Sequence, residues 1–415
     1  MKYVFLTPAI GWVGGAQIYC RNKIKFCQKK NYETFLFYDQ KREIQITDLQ
    51  SFEKIGLIEE LAFYPQYYTI KFRKKIIEKI LNRINFCEGE EVIFESHSPA
   101  ESLWGELLAR ECKAKNFIFL LSETFQLSKS VMAFLEYKYQ RNELACITKG
   151  VMKRLFEDYM PLSIDECYCL SAPCANAVED IEIPSQLSKI GNHKVIGIIG
   201  RLQKEYVKVS VSEIAKFSRK HPNEKFQVLI IGGSNDKADI LDIEYMLKPC
   251  LNLEIYITGN IYPIPRLLIK KMCVCLAAAG CAIAASQEGV PTISVDSYKK
   301  RAMGVVGYNT FSIIHCQRSD DIRSVAEYLE LVLYTDFIKI HPYTPLPYDK
   351  ENDDIDSAFQ EHLNFLKKSC SKKEYYRNIE DSLTLKEAGK KIIIFIFGIK
   401  GFRWMTKIIA RIKKK

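Results

Sequence analysis

A strand–turn–helix–strand unit at Met272–Asp296 places the strongest constraint on how this chain can fold. It opens with an apolar run of strand length, Met272–Leu276, and closes with a second predicted strand, Thr292–Val295. Between the two, Cys281–Gln287 suits a short helix, which Gly289-Val290-Pro291 ends. In a parallel sheet, the first N–H groups of such a helix lie at the carboxyl edge of the strands and favour an anion, for example a diphosphate. The alternative is that the small residues only let the helix pack closely against the sheet.

The same alternation of strands and helices covers most of the chain and predicts two doubly wound, parallel α/β sheets. The first set begins with the strand Lys2–Thr7, passes through a turn containing Gly14 and Gly15, and continues in the helix Ala16–Gln28. Its other predicted strands are Thr34–Tyr38, Val92–Phe94, Phe117–Leu121, Leu144–Thr148 and Glu166–Ser171, and its other helices are Ile70–Ile84, Ser102–Ala114 and Lys149–Asp158.

A second set of elements begins after a turn-rich boundary at Ile183–His193. It starts with the strand Lys194–Gly200, and it includes the unit at Met272–Asp296. The glycine-containing run Ser297–Thr310 is expected to form a loop over a ligand. The other predicted elements are the helix Val209–Lys220, the strand Phe226–Ile231, the helix Lys237–Lys248, the strand Leu253–Thr258 and the helices Pro265–Lys270, Asp320–Tyr334 and Ser357–Lys368.

These patterns divide the chain into four predicted parts. Two Rossmann-like domains cover residues 1–185 and 186–345, a helical extension covers 346–389, and a basic tail covers 390–415. A chain of 415 residues with 47% apolar content is large enough to build two such cores.

The cysteines and the net charge limit the environment and the partners. Fourteen cysteines are scattered without paired spacing, and no secretory leader precedes the first strand, so free thiols in a reducing cytosol are expected. Cys167, Cys169 and Cys174 form the one tight cluster, but no second pair accompanies them and no metal site is expected. The formal net charge of +10 indicates polyanionic partners.

The end of the chain, Lys390–Lys415, combines an apolar run with basic residues only. Ile392–Ile399 is almost purely apolar, and no acidic residue follows Glu387. The segment is too short and too charged to span a bilayer, so the pattern predicts a basic amphipathic helix lying on an anionic membrane surface. The alternative is a C-terminal helix that packs on its own protein with a solvated basic face.

Four segments, in this order and spacing, resemble the GT-B glycosyltransferases, in particular the large retaining family that includes many bacterial capsule and lipopolysaccharide enzymes. They are Gly14-Gly15-Ala16-Gln17, Ile199-Gly200-Arg201 with Lys208, Leu229-Ile230-Ile231-Gly232 and Gly289-Val290-Pro291-Thr292-Ile293. The resemblance implies two Rossmann-like domains facing a cleft. A nucleotide-diphosphate-sugar donor would bind the second domain, and the acceptor would bind the first.

The resemblance also implies roles for residues of the second domain. Leaving-group charge on the diphosphate requires fixed positive charge, which Arg201 and Lys208 would supply as catalytic residues without a metal or another cofactor. Lys204 competes with Lys208 for this role. The donor would also contact Glu288 and the backbone of two turns. These turns contain Gly14 and Gly15 after the first strand, and Ala279, Gly280, Cys281 and Ala282 after the strand Met272–Leu276.

On the first domain, His97 follows a predicted strand and would lie beside the transferred sugar, as a histidine does in similar enzymes. Glu123 is a candidate on the acceptor side. The chain departs from the family at two positions that commonly carry glutamate, since Leu276 and Ala284 stand there. Gln287 or Glu288 would have to reach the nucleotide ribose instead.

The sequence therefore predicts a glycosyltransferase, peripheral on the cytoplasmic face of the membrane, that extends a glycan or lipid-linked glycan in cell-surface polysaccharide synthesis. One alternative is a non-catalytic GT-B-like subunit that recruits a partner enzyme to the membrane, since the two glutamates are missing. Another is a nucleotide-sugar epimerase, for which Glu95 and Glu123 are the available carboxylates. Nucleic-acid binding is not expected, because no basic groove with interleaved aromatic residues is evident.

Overall fold

The structure is a computed structural model, and it describes residues 1–8, 10–11, 13–41, 43–121, 127–156, 165–174, 177–234, 236–345, 354–369, 374–379 and 385–413. The chain forms two units, each with its own sheet and core. Unit 1 consists of Met1–Trp12, Tyr19–Pro173 and Ile355–Lys415, and unit 2 consists of Val13–Ile18 and Cys174–Asp354. The segments after Ile355 therefore belong with the first sheet, although the sequence places them after the second.

Unit 1 is built on a six-stranded parallel sheet with the strand order β3-β2-β1-β4-β5-β6. Its strands are β1 (Lys2–Thr7), β2 (Glu33–Tyr38), β3 (Ile55–Leu57), β4 (Val92–Ser96), β5 (Lys115–Leu120) and β6 (Leu144–Cys146). Its helices are α1 (Gly15–Lys29), α2 (Thr47–Gln50), α3 (Ile70–Arg83), α4 (Pro99–Cys112), α5 (Lys129–Gln140) and α6 (Lys149–Phe156), with single 3₁₀ turns at Glu59–Ala62, Pro65–Tyr67 and Glu166–Tyr168. The predicted strand Glu166–Ser171 was wrong: the structure has a 3₁₀ turn there, followed by an isolated bridge from Cys169 to Cys146.

Two more helices complete unit 1 from the end of the chain. The penultimate helix, Ile355–Lys367, buries Phe359, Leu363 and Leu366. The terminal helix, Leu385–Lys413, is interrupted at Gly398, whose φ of 64° lies in the left-handed region that glycine adopts without a steric penalty.

Unit 2 contains a second six-stranded sheet, with the order β10-β9-β8-β12-β13-β14. Its strands are β8 (Lys194–Ile199), β9 (Phe226–Ile231), β10 (Leu253–Ile257), β12 (Val274–Ala277), β13 (Thr292–Asp296) and β14 (Arg301–Val305), and β7 (Val178–Glu179) pairs separately with β11 (Ile264–Pro265). Its helices are α7 (Glu205–Lys220), α8 (Lys237–Leu247), α9 (Arg266–Lys270), α10 (Ala279–Gln287), α11 (Val325–Tyr334) and α12 (Phe337–Ile340), with a 3₁₀ turn at Ser185–Leu187.

Both faces of the second sheet are buried, which explains its continuous apolar strands. In β9, Val228 and Ile230 pack into one apolar cluster, while Leu229 and Ile231 pack into the other. Alternate residues of a strand point to opposite faces, so a strand covered on both sides is apolar throughout. The prediction of a loop at Ser297–Thr310 was wrong in part, because β14 forms there as an antiparallel edge strand beside β13.

Each sheet has one point at which the strand order reverses, and each reversal places two crossover turns side by side. In unit 1 the reversal lies between β1 and β4, and in unit 2 it lies between β8 and β12. Ligands of open α/β sheets bind at the carboxyl ends of the strands at this position. The turns that follow these four strands contain most of the candidate residues named from the sequence.

Candidate functional site

The turn after β8 carries the basic residues predicted to hold a diphosphate. Arg201 comes two positions after the last residue of β8, and its carbonyl accepts a hydrogen bond from the Lys204 N–H at 2.9 Å. Lys204 occupies the N-cap of α7, which begins at Glu205 rather than at the predicted Val209. Lys208 therefore lies in the first turn of that helix and pairs with Asp239 at 3.5 Å.

This turn is held in place by a close approach between backbones. The Gly200 N–H donates to the Ile231 carbonyl at 3.0 Å, and the Leu202 N–H donates to the Gly233 carbonyl at 3.2 Å. Gly232 has a φ of 154°, and a β-carbon there would overlap the carbonyl oxygen of Gly200. Only glycine fits this position, so the peptide that leads into Arg201 is set by the end of β9.

The turn after β12 forms the other half of the predicted donor site. Ala278 is the N-cap of α10, and Ala279 follows with a φ of 50°, which is unusual for a residue with a β-carbon. The Ala279 N–H donates to the Ile313 carbonyl at 2.7 Å. The prediction that Ala279 offers its N–H to a ligand was therefore wrong, because that group already has an acceptor.

Three residues remain in the first turn of α10: Gly280, Cys281 and Ala282. Ala282 is fully buried, while Gly280 and Cys281 are half-buried. The first N–H groups of a helix have no acceptor within the helix, and its dipole favours negative charge at that end.

Tyr206 lies against the turn after β8, and no sequence pattern singled it out. Its hydroxyl donates to the Ile199 carbonyl at 3.0 Å, and its ring covers Gly200. Burial raises the pKa of Tyr206 well above 10.0, and the Cys281 thiol raises it further while Arg201 lowers it. The pairing of β12 with β8 places the two predicted donor-binding turns side by side.

The glycine turn after β1 groups with unit 2 through the segment Val13–Ile18. The Gly14 carbonyl accepts the N–H groups of Gln17 and Ile18 at 3.0 Å and so starts α1. A β-carbon at Gly14 would lie 3.9 Å from Cζ of Arg201, and one at Gly15 would lie 3.5 Å from Sγ of Cys174. Gly14 therefore lies next to the guanidinium predicted to bind the diphosphate.

Glu288 does not join this group. It is the C-cap of α10, so the whole length of that helix separates it from the turn after β12. Its carboxylate pairs with Arg266, which also reaches Asp180 at 3.0 Å. A carboxylate held in this way acts as a structural anchor for α9 and α10, and its predicted contact with the donor has no support in this placement.

In unit 1, His97 follows β4 directly, as predicted, but its side chain is 1% exposed. Nε2 lies 3.0 Å from Oε1 of Glu95, and Nδ1 lies 3.1 Å from the Thr7 hydroxyl and 3.6 Å from Sγ of Cys20. This geometry fits a neutral ring that donates from Nε2 and accepts at Nδ1.

Glu95 is the centre of a buried polar cluster that sequence reasoning missed. It accepts hydrogen bonds from the hydroxyls of Tyr3 and Tyr19, from His97, and from the Lys23 ammonium at 2.5 Å. Lys23 also donates to Tyr19 at 2.9 Å and to Nδ1 of His362 at 3.0 Å. Lys23 and Glu95 are both 0% exposed.

The cluster lies on one face of the first sheet, between α1 and the penultimate helix. The parallel register aligns Phe5 with Glu95 and Glu95 with Phe117, so one row of three central strands points at Lys23. His362 completes the cluster and donates from Nε2 to the Ser171 carbonyl at 2.7 Å. A sequence signal existed, since Lys23 interrupts the apolar face of α1 one turn after Tyr19.

A second buried acid stands at the start of α4. Glu101 is 1% exposed, and within the described part of the chain neither of its carboxylate oxygens has a hydrogen-bond partner. Burial raises its pKa well above 4.5, and the Asp39 carboxylate adds to that shift. Glu123, the acceptor-side candidate, lies outside the described residues.

Two features are absent from the described residues. In the ranges given above, no three His, Cys, Asp or Glu side chains lie close enough together to hold a metal ion. No helix in the same ranges has the length and apolar character needed to cross a bilayer.

The fold resembles that of several solved structures, although comparisons of the sequence found no match. No protein-family model matches the chain, and no curated protein sequence matches it. Among solved structures, a glycosyltransferase from Rickettsia africae covers 88% of this chain and 96% of its own, with 16% identity and a TM-score of 0.55. Anabaena HepE in complex with UDP and glucose covers 88% and 100%, with 9% identity and a TM-score of 0.58.

A mutant of S. aureus TarM, crystallised with UDP, covers 88% of this chain and 99% of its own, with 11% identity and a TM-score of 0.52. Identities this low establish the fold and leave the activity open. The predicted fold class is confirmed: the chain is an α/β protein with two Rossmann-like, mainly parallel sheets, as in GT-B glycosyltransferases.

Proposed function

We propose that this chain transfers a sugar from a nucleotide-diphosphate-sugar to a glycan or a lipid-linked glycan in cell-surface polysaccharide synthesis. The observation that carries the proposal is that the turn with Arg201, after β8, and the first turn of α10, after β12, lie side by side at the strand reversal of unit 2. A fixed guanidinium and open helix N–H groups are the chemistry that binds a diphosphate. Unit 2 would hold the donor, and unit 1 would hold the acceptor.

The proposed mechanism uses this positive charge on the leaving group. As the bond between the sugar carbon and the diphosphate oxygen breaks, negative charge develops on that oxygen. Arg201 would stabilise it from a position fixed before the reaction, and fixed charges of this kind are most effective because they need no reorganisation. The N–H groups of Gly280 and Cys281 would share the charge, with no metal required, whereas the Ala282 N–H has its acceptor within the helix, the Ala278 carbonyl.

Lys208 would act as a second cation. Its side chain is 36% exposed, and its pair with Asp239 at 3.5 Å is a partly solvated ion pair that contributes little to stability. Exchanging Asp239 for a phosphate therefore costs little, and the helix dipole at the start of α7 favours that exchange. Lys204 would contact the same group from the N-cap.

His97 would contribute from unit 1. Because Nε2 is held by Glu95, the ring can accept a hydrogen bond from a sugar hydroxyl only at Nδ1, in exchange for its contacts with Thr7 and Cys20. We assign His97 to orienting the transferred sugar, with Glu95 fixing its tautomer.

Nucleotide binding to purified protein tests the donor site. UDP is the first nucleotide to try, since the HepE and TarM structures contain it. Thermal shifts with UDP, GDP, ADP and CMP should show a selective rise for one of them. Arg201→Ala should abolish that rise, whereas Arg219→Ala, in the last turn of α7, should keep it. An unchanged rise in Arg201→Ala would refute the assigned site.

The specific observation that favours a second candidate is the absence of two carboxylates. Leu276 and Ala284 are both buried and cannot contact a ribose through a charged group. We therefore propose a non-catalytic binding subunit as the second candidate. If the protein binds a nucleotide-sugar but neither transfers nor slowly hydrolyses the sugar, the result favours this candidate. Turnover of the nucleotide-sugar would exclude it.

The terminal helix would attach the protein to the cytoplasmic face of the membrane. The chain carries nine Lys and Arg residues after Glu387 and no acid, and seven of the nine belong to this helix. Ile392, Phe395, Ile396 and Trp404 are each more than half exposed, whereas Ile394 is buried in the core of unit 1. The helix thus packs on its own protein along one side and presents an apolar side outward, and the two interpretations of the tail are compatible.

Sedimentation with vesicles tests this attachment. Vesicles with anionic lipid should bind the full chain, and Phe395→Ser with Trp404→Ser should release it while nucleotide binding stays unchanged. Equal sedimentation of the double variant would exclude the helix as the membrane contact.

A further inference from the structure

A cavity of about 420 Å³ lies in unit 1 beside the carboxyl end of β4. Ser98 and Ala100, which follow His97 in the chain, form one side of it. Its volume falls within the range of about 300–1,000 Å³ that is usual for small-molecule sites. The cavity therefore adjoins the strand reversal of unit 1, where ligands of such sheets bind.

The wall opposite β4 is aromatic and aliphatic. Phe63 and Phe402 meet edge to face, with ring centroids 5.3 Å apart, and Leu127 adds an aliphatic surface. The segment around Phe63 is held in place by the Trp104 indole N–H, which donates to the Phe63 carbonyl at 2.9 Å. This wall suits an apolar chain and offers no partner for a sugar hydroxyl.

Positive charge lies at the same cavity. Lys390 lines it, with Nζ 5.9 Å from the centre of the Tyr67 ring. The first turn of α4 also lines it, and there the Ser98 side chain makes no capping hydrogen bond. The Lys390 ammonium favours a phosphate next to the apolar wall.

The terminal helix connects this cavity with the exposed apolar side described above. Lys390 and Phe402 belong to that helix, and both line the cavity. Between them, Ile392, Phe395 and Ile396 are 58%, 74% and 61% exposed at helical spacing. The terminal helix thus lines the cavity with one side and exposes an apolar side on the opposite one.

We propose that the cavity binds the phosphate and the first part of the apolar chain of a lipid-phosphate acceptor. The inference rests on the proposed function, because it gives the acceptor of the transfer reaction a place in unit 1. The apolar chain lies against Phe63, Leu127 and Phe402, and the phosphate contacts the Lys390 ammonium. The location beside His97 favours a reacting lipid over a bulk membrane phospholipid, which has no reason to approach that strand end.

Calorimetric titration with farnesyl phosphate tests the proposal without a bilayer. The full chain should bind this probe, and it should bind inorganic phosphate, farnesol and dihexanoyl phosphatidylglycerol at least tenfold more weakly. Lys390→Gln should weaken binding of farnesyl phosphate about tenfold, which corresponds to the loss of one charge-assisted hydrogen bond. Lys400→Gln removes an exposed charge from the same helix outside the cavity and serves as the matched control.

Ala100→Phe fills the cavity without removing a contact and should abolish binding of the probe. Circular dichroism and the nucleotide shift check that this variant folds. Equal binding of farnesyl phosphate to the full chain, Lys390→Gln and Ala100→Phe would overturn the proposal, and so would equal binding of the phosphatidylglycerol.

Arg201→Ala separates this proposal from the function on which it rests. That variant should lose the nucleotide shift and keep farnesyl phosphate binding. If the full chain binds no nucleotide but binds the probe as described, the donor site fails and the lipid site stands; the reverse result overturns the lipid site alone.

Discussion

The buried pair of Lys23 and Glu95 offers a sharp test of the physical reasoning. Lys23 donates to Glu95, Tyr19 and His362, so all three of its protons are used, and Glu95 accepts four hydrogen bonds. Removing one partner of a buried pair leaves an uncompensated charge and costs about 3–5 kcal/mol. Glu95→Gln should therefore destabilise unit 1 strongly, since it leaves the ammonium unpaired and turns an amide N–H₂ toward other donors.

Urea denaturation followed by tryptophan fluorescence measures this cost, because Trp104 is fully buried in unit 1. With a denaturant slope of about 2–3 kcal/mol per molar, a loss of that size lowers the unfolding midpoint by about 1–2.5 M. Lys23→Met should give a loss of similar size, since it strips Glu95 of its cation. Replacing both residues together with Met and Leu should be much less damaging than the sum of the single changes.

Lys25→Met is the matched control, two positions along α1. Lys25 is 47% exposed and pairs with Asp48 at the surface, so its loss should cost about 0–1 kcal/mol. Equal midpoint shifts for Lys23→Met and Lys25→Met would refute the argument that burial makes the Lys23 pair matter.

Three other predictions use the same structure. Burial, with the Lys23 ammonium adding to it, lowers the pKa of His362 from 6.5 to about 3, so between these pH values the unfolded chain binds a proton that the folded chain does not. The free energy of unfolding should therefore fall as pH drops from 6.5 toward 3. In urea titrations at each pH, His362→Gln should make this decrease smaller. Burial raises the pKa of Glu101 well above 4.5, so stability should instead fall by up to about 1.4 kcal/mol per pH unit as pH rises above 4.5, and Glu101→Gln should remove that fall; an identical pH profile in the variant would contradict the assignment. Gly232→Ala should lower the free energy of unfolding by about 1–3 kcal/mol, because the φ of 154° and the Gly200 carbonyl exclude a β-carbon, and it should weaken nucleotide binding by displacing Arg201. Gly89→Ala is the control: φ is 91° there and no atom lies within 4 Å of a β-carbon, so this change should cost only the backbone strain and leave the nucleotide shift intact.

Local patterns determined the type and order of most elements. β1 and β9 run from Lys2 to Thr7 and from Phe226 to Ile231, as predicted, because a strand buried on both faces is mostly apolar. The alternation with helices then leaves few topologies open, since parallel crossovers are right-handed. This is why the fold class and the position of the basic turn after β8 could be predicted.

Other features depend on residues that are far apart in the chain. The carboxylate that pairs with Lys23 lies on β4, and another of its acceptors lies on the penultimate helix. The position of Lys23 on the apolar face of α1 therefore signals its burial but not these partners. The Ile313 carbonyl accepts a hydrogen bond from the Ala279 N–H, and the Arg266 side chain forms an ion pair with Glu288. No periodicity within a segment encodes such contacts.

The terminal helix shows both kinds of information in one element. Its apolar and basic composition determined that it is amphipathic, which is a property of the segment alone. Packing of Ile394 and Phe402 on unit 1 decided which apolar residues are covered and which remain exposed, and it created the cavity that Lys390 lines. Burial is a property of two surfaces, so only the tertiary structure could assign it.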